Sequence, residues 1–117
     1  MMLRRFLQQL NRQQPHLAEA RPVATRTVHV MISGRVQGVG YRAWTKREAE
    51  GRGLSGWVCN RANGSVEAVF SGEVAPVAAM LEALRDGPAG ARVDGVEVAQ
   101  YNGAPTVAAE FVVKPTY

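Results

Sequence analysis

Residues 54–70 read LSGWVCNRANGSVEAVF, two short runs rich in strand-forming residues set either side of Ala62-Asn63-Gly64. An Asn-Gly between alternating runs is the strongest short-range signal for a hairpin, because both residues tolerate positive φ. Strands are therefore expected over Leu54–Arg61 and Ser65–Phe70. Upstream, Tyr41–Glu50 reads as a helix stopped by Gly51 and Gly53. Downstream, Pro76 suits the first turn of a second helix, and Val77, Met80, Leu81 and Leu84 form the i, i+3, i+4, i+7 stripe that faces a sheet before Gly87-Pro88 ends it. One element further out on each side is another strand. Val28, Val30 and Ile32 alternate with Thr27, His29 and Met31, in a run ending near Ser33. Val93, Val96 and Val98 do the same with a slip at Asp94-Gly95, as a bulge or a late strand start produces. Val107–Val113 reads as a last edge strand before Pro115. The order strand, helix, strand, strand, helix, strand is the split βαβ, or ferredoxin-like, arrangement of an α+β domain. It implies a mixed, largely antiparallel sheet with two helices on one face and a short extra C-terminal strand.

The chain of 117 residues is long enough for one well-buried core. No apolar run approaches the eighteen or so residues of a membrane span, so no membrane association is expected. Cys59 is the only cysteine, which rules out an internal disulfide, leaves no Cys/His ladder for zinc and fits a reducing, cytoplasmic setting. The net charge of +4 invites a nucleic-acid partner. Its distribution argues against one. Residues 1–26 carry Arg4, Arg5, Arg12, Arg21 and Arg26 against Glu19, whereas residues 27–117 hold nine basic and nine acidic residues. That first segment is rich in Arg and Gln, is broken by Pro15 and Pro22 and offers little helical periodicity. It is expected to be a flexible N-terminal extension to a domain spanning 27–117, with an organelle transit peptide as the lesser alternative.

Between the first strand and the first helix lies Gly34–Arg42, GRVQGVGYR. Glycines at such a junction let the backbone curl until successive N–H groups share one concavity, and the helix start adds unsatisfied donors and partial positive charge. Such a place suits a phosphate. Arg42, in the first helical turn, has the planar fork that closes over two phosphate oxygens. The segment therefore reads either as an anion cradle built from the amides of Gln37, Gly38, Val39, Gly40, Tyr41 and Arg42, or as a plain connector with a solvated arginine. It is neither GxxxxGK[ST] nor GxGxxG, which disfavours a nucleotide.

These residues carry a resemblance. Gly34-Arg35-Val36-Gln37-Gly38-Val39-Gly40-Tyr41-Arg42, then Gly56-Trp57-Val58-Cys59-Asn60, then Asn63-Gly64-Ser65-Val66-Glu67, are similar to the two signature blocks of the acylphosphatase family, in order and at suitable separation. The likeness covers about residues 27–117. It implies hydrolysis of a carboxyl phosphate to carboxylate and inorganic phosphate, with no metal, no cofactor and no covalent intermediate. By the same resemblance Arg42 and the loop amides bind the phosphoryl group and Asn60 orients the attacking water. The expected partner is a small acyl phosphate, with inorganic phosphate or sulfate able to fill the site. A monomer is expected.

Other residues are assigned structural roles. Alternation turns Cys59 to the face opposite Asn60, which argues against a phosphocysteine mechanism. His29 and His16 have no acid paired in a recognisable motif, and Asp86, Asp94 and Glu97 lack metal-ligand spacing. Tyr41, Trp44 and Trp57 are expected between helix and sheet. Arg35 and Arg61 are candidates to rim the site and meet an acidic acyl group. Two binding-module readings compete with the enzyme. An RNA-binding domain of the same topology needs aromatics on its central strands, and SVEAVF supplies only Phe70. A phosphate sensor has no use for Asn60.

Overall fold

The computed structural model describes residues 24–103 and 110–117. Strand β1 (Thr25–Arg35) leads through the glycine segment into helix α1 (Tyr41–Gly51). The β2–β3 hairpin follows (Ser55–Asn60 and Val66–Glu73), then α2 (Val74–Asp86), β4 (Arg92–Gln100) and β5 (Phe111–Val113). The strands form one sheet in the order β4-β1-β3-β2-β5. β1 pairs antiparallel with both β3 and β4, β2 pairs antiparallel with β3, and β5 lies parallel to β2. This is the ferredoxin-like α+β arrangement with an added edge strand. Of the last strand expected over Val107–Val113, the part before 110 lies outside the described residues. No helix among the described residues is long and apolar enough to cross a membrane.

Period-two alternation decides which side chains are buried. Val28, Val30 and Ile32 of β1, Val58 of β2, Val66, Ala68 and Phe70 of β3 and Phe111 of β5 form one face. They meet Tyr41 and Ala49 of α1 and Val77, Met80 and Leu84 of α2 in a single core cluster. Phe70 and Phe111 stack at 5.4 Å across the sheet. Pairing slips between Ser33 and Gly34. Ser33 faces Gly95 while Gly34 faces Val93, so Asp94 is the extra residue of a bulge, and the irregular spacing of the fourth strand has its explanation.

The hairpin forms where expected, but its turn differs. Only Gly64 has positive φ, at 94°, and Asn63 does not. The Gly64 amide donates to the Arg61 carbonyl at 3.0 Å and the Arg61 amide to Ser65 at 2.8 Å. That makes a three-residue loop closed by a left-handed glycine. The Asn63 side chain serves instead as an acceptor, taking the Ser65 amide at 3.0 Å and its hydroxyl at 2.6 Å. An Asx turn supplies what a positive φ was expected to supply.

Candidate active site

Two ends of the fold meet at one hollow. From the β1–α1 segment come Val36, Gln37, Gly38, Gly40, Tyr41, Arg42 and Ala43; Asn60 comes from the end of β2 and Val113 from β5. Together they line a pocket of about 310 Å³. Gly38 and Gly40 sit in the left-handed region at φ 73° and 76°, and a Cβ at either would meet open space. Glycine is required there by conformation, not by crowding. Left-handed residues alternating with ordinary ones are the backbone pattern that turns amides toward a common point. No N–H from Gln37 to Arg42 donates to a backbone carbonyl among the described residues; the first to do so is Trp44, to Gly40 at 3.0 Å. Gly40 is the N-cap of α1 and offers no side-chain cap, so the helix start keeps its free donors and its partial positive charge.

The segment is fastened to the core from below. Val36 is fully buried, and Val39 packs against the core cluster without reaching the pocket wall. The buried Tyr41 hydroxyl donates to the Leu84 carbonyl of α2 at 2.6 Å. Burial pushes the Tyr41 phenol well above its ordinary value, because a phenolate has no hydration there. Tyr41 thus joins the two helices, while its backbone opens the hollow.

Arg42 is half-buried, and its Nη1 donates to the Lys114 carbonyl at 3.2 Å. One of five guanidinium N–H donors is thereby used to aim the rest. Among the described residues no carboxylate lies within ion-pair distance of it. A fixed positive charge without a counter-charge favours an anion in the same pocket.

Asn60 stands opposite. Its carbonyl accepts the Tyr117 amide at 2.9 Å, and it pairs with Val66 on the other side, so its backbone is held from both flanks. Its side-chain Oδ1 is buried and has no hydrogen-bond partner among the described residues. A buried acceptor left unpaired costs about 1–3 kcal/mol. Asn60 lines the pocket, and a buried acceptor left without a partner calls for an explanation.

The remaining sequence candidates fall elsewhere. Cys59 is buried on the far face of β2, with its thiol directed to Glu67 Oε1 at 3.7 Å. Burial first, and then the Glu67 carboxylate, push that thiol upward, which keeps it protonated and a poor nucleophile. His29 is held by Glu67 at 2.6 Å. Arg61 reaches the same carboxylate at 3.5 Å, and neither it nor Arg35 lines the pocket, so the expected basic rim is absent from these two positions. Trp57 does not pack between helix and sheet. Its neighbours Gly56 and Val58 share the other face, and the Lys114 ammonium lies 4.3 Å from its ring centroid. Tyr41 and Trp44 do pack as expected, with ring centroids 5.3 Å apart.

An α+β sandwich with a pocket that joins a glycine-rich helix start, an uncompensated arginine and an orphaned carboxamide has the makings of a phosphoryl-handling enzyme. The chain belongs to the acylphosphatase family, whose model matches residues 28–113. It is 59% identical over 81 residues to an acylphosphatase of Azorhizobium caulinodans, a match covering 69% of this chain and 87% of that one. A Rhodospirillum rubrum acylphosphatase is likewise 59% identical, over 62% of this chain and 80% of its own. Among solved structures, an acylphosphatase from Coxiella burnetii superposes with a TM-score of 0.72 at 34% identity, over 77% of this chain and 93% of that chain. One from Bacillus subtilis gives 0.72 at 30% identity, over 78% and 99%.

Proposed function

We propose that the chain hydrolyses acyl phosphates in this hollow, with Arg42 and the amides of Gln37 to Arg42 holding the phosphoryl group and Asn60 orienting the water. The observation that carries the reading is that Asn60, whose side-chain Oδ1 has no hydrogen-bond partner among the described residues, lines the same pocket as the uncompensated Arg42. A carboxamide oxygen can only accept. Its natural guest is a water O–H, and a water so held presents its lone pair to whatever the cradle binds.

The chemistry suits so sparse a site. In a loose phosphoryl-transfer transition state charge collects on the equatorial oxygens, and catalysis is mainly positioning and electrostatic stabilisation. The guanidinium and free amides meet both needs without rearranging. The water oxygen forms a bond to phosphorus while the bond from phosphorus to the acyl oxygen breaks and its electron pair leaves on the carboxylate. The conjugate acid of that leaving group has a pKa of about 4, so no general acid is needed at neutral pH. The water proton passes to a phosphoryl oxygen. An alkyl phosphate, which departs as a far more basic alkoxide, is a poor substrate for the same groups. Inorganic phosphate, as product, and sulfate, as its analogue, fit the cradle. A monomer suffices for this chemistry, since every group named comes from one chain.

The test is phosphate release from benzoyl phosphate in the presence of a chelator. Asn60→Ala is expected to lose turnover by ~100-fold or more while inorganic phosphate still inhibits. Arg42→Gln is expected to lower kcat/KM by roughly 100- to 1000-fold and to weaken phosphate inhibition with it. Undiminished turnover in the first variant, or unchanged inhibition in the second, contradicts the respective role.

A further inference from the structure

The cradle and the carboxamide stand on different elements, so something must fix the distance between them. We propose that the Gln37 side chain does this and is a positioning residue for the reaction. The inference rests on the roles just proposed for Arg42 and Asn60. Val36-Gln37-Gly38-Val39-Gly40 contains one polar side chain, that of Gln37. Gln37 Nε2 donates to the Arg61 carbonyl and to the Ser65 carbonyl, both at 2.8 Å. Both neighbours are carbonyls, so only the NH2 end of the amide can face them, and its orientation follows from the chemistry.

The two carbonyls sit at the mouth of the β2–β3 hairpin. Arg61 follows Asn60, and Ser65 precedes Val66, the residue paired with Asn60. The Arg61 carbonyl already accepts Gly64 N–H at 3.0 Å and the Ser65 carbonyl accepts Arg61 N–H at 2.8 Å. With Gln37 added, each oxygen has used both lone pairs. One NH2 group therefore clamps both strands beside Asn60 and ties them to the loop that bears the cradle. A displacement of about 1 Å between water and phosphorus is enough to cost on the order of 100-fold in rate. Binding of phosphate, in contrast, needs only the loop and Arg42.

The strut therefore has a kinetic signature. Gln37→Met keeps the length and apolar packing of the side chain but has no donors. It is expected to lower kcat on benzoyl phosphate by roughly 10- to 100-fold while the inhibition constant of inorganic phosphate moves less than about threefold. In the Gln37→Met/Asn60→Ala double variant the second loss should vanish, because a misplaced water holder costs nothing once the holder is gone. A thermal melt on each variant establishes that the fold is kept, and Gln37→Ala repeats the measurement with a different side chain. Three results overturn the assignment: a kcat for Gln37→Met within twofold of the parent, losses that multiply in the double variant, or phosphate inhibition weakening in step with kcat. An Asn60→Ala enzyme with full turnover defeats the water-holding role and this inference together. An inactive Asn60→Ala beside an unimpaired Gln37→Met defeats only the latter.

Discussion

Tyr41 shows how a single residue joins the core to the wall of the pocket. Its ring fills the gap beside Gly87, where an added Cβ would come within 2.8 Å of it, and its hydroxyl satisfies the Leu84 carbonyl. Tyr41→Phe leaves that carbonyl without a partner in the core and should cost about 1–3 kcal/mol in a urea titration, with the ring still in place. It should also change the alkaline limb of stability. The folded protein holds the Tyr41 proton above the ordinary tyrosine range near 10, and the unfolded chain does not. Above that range the unfolded state therefore binds fewer protons, so this residue's contribution is complete below it and is lost as the pH climbs from there toward the higher folded value. The variant should lose less stability than the parent as the pH rises above about 10. The sequence marked Tyr41 as a helix-start residue of the cradle. Its bond to a carbonyl 43 residues away was illegible, because nothing local in the chain encodes that distance.

At the scale of the element, β2 explains itself by alternation. One face carries Val58 into the core and Asn60 into the pocket; the other carries Trp57 and Cys59 toward Lys114 and Glu67. That separation was readable from the sequence, since a strand has a period of two whatever its partners. The glycine second in the strand was legible only as part of a signature. Gly56 adopts φ 137°, and a Cβ there would lie 1.8 Å from the Val69 carbonyl oxygen of β3. It belongs to the sheet, as the place where two backbones come too close for any side chain. Gly56→Ala should destabilise the fold by ~3 kcal/mol or more, seen as a fall in Tm, because the clash is with backbone and cannot be relieved by a rotamer. A Tm within a degree or two of the parent would show that the strand can shift to accommodate the methyl. The Gln37 strut, the Arg42 bond to Lys114 and the parallel pairing of β5 with β2 were all out of reach of local pattern, for each joins segments remote in the chain.

For the whole molecule, the charge asymmetry of the sequence parallels the extent of the family match. The match begins at residue 28 and the first strand at Thr25, while the surplus of arginine lies in residues 1–26. We expect a chain starting at Ala24, whose carbonyl still accepts the Val74 amide, to retain kcat/KM on benzoyl phosphate within about twofold, because every residue lining the pocket is kept and the charge removed acts as a long-range field that salt screens. A larger fall would assign the segment a part in catalysis. The element order was legible because helices and strands differ in hydrophobic period, and the place of the pocket because glycines at a strand-to-helix junction are costly unless used.

Val36 and Tyr41 are at once wall and core, so the hollow does not come apart separately from the rest of the fold. Any anion that occupies it stabilises the entire domain by mass action, by about 2.7 kcal/mol at a hundred times its dissociation constant, and so raises its melting temperature. Calorimetry on stable mimics, in which the labile anhydride oxygen is replaced by a methylene, can therefore rank acyl groups by the heat the protein withstands, with no turnover at all.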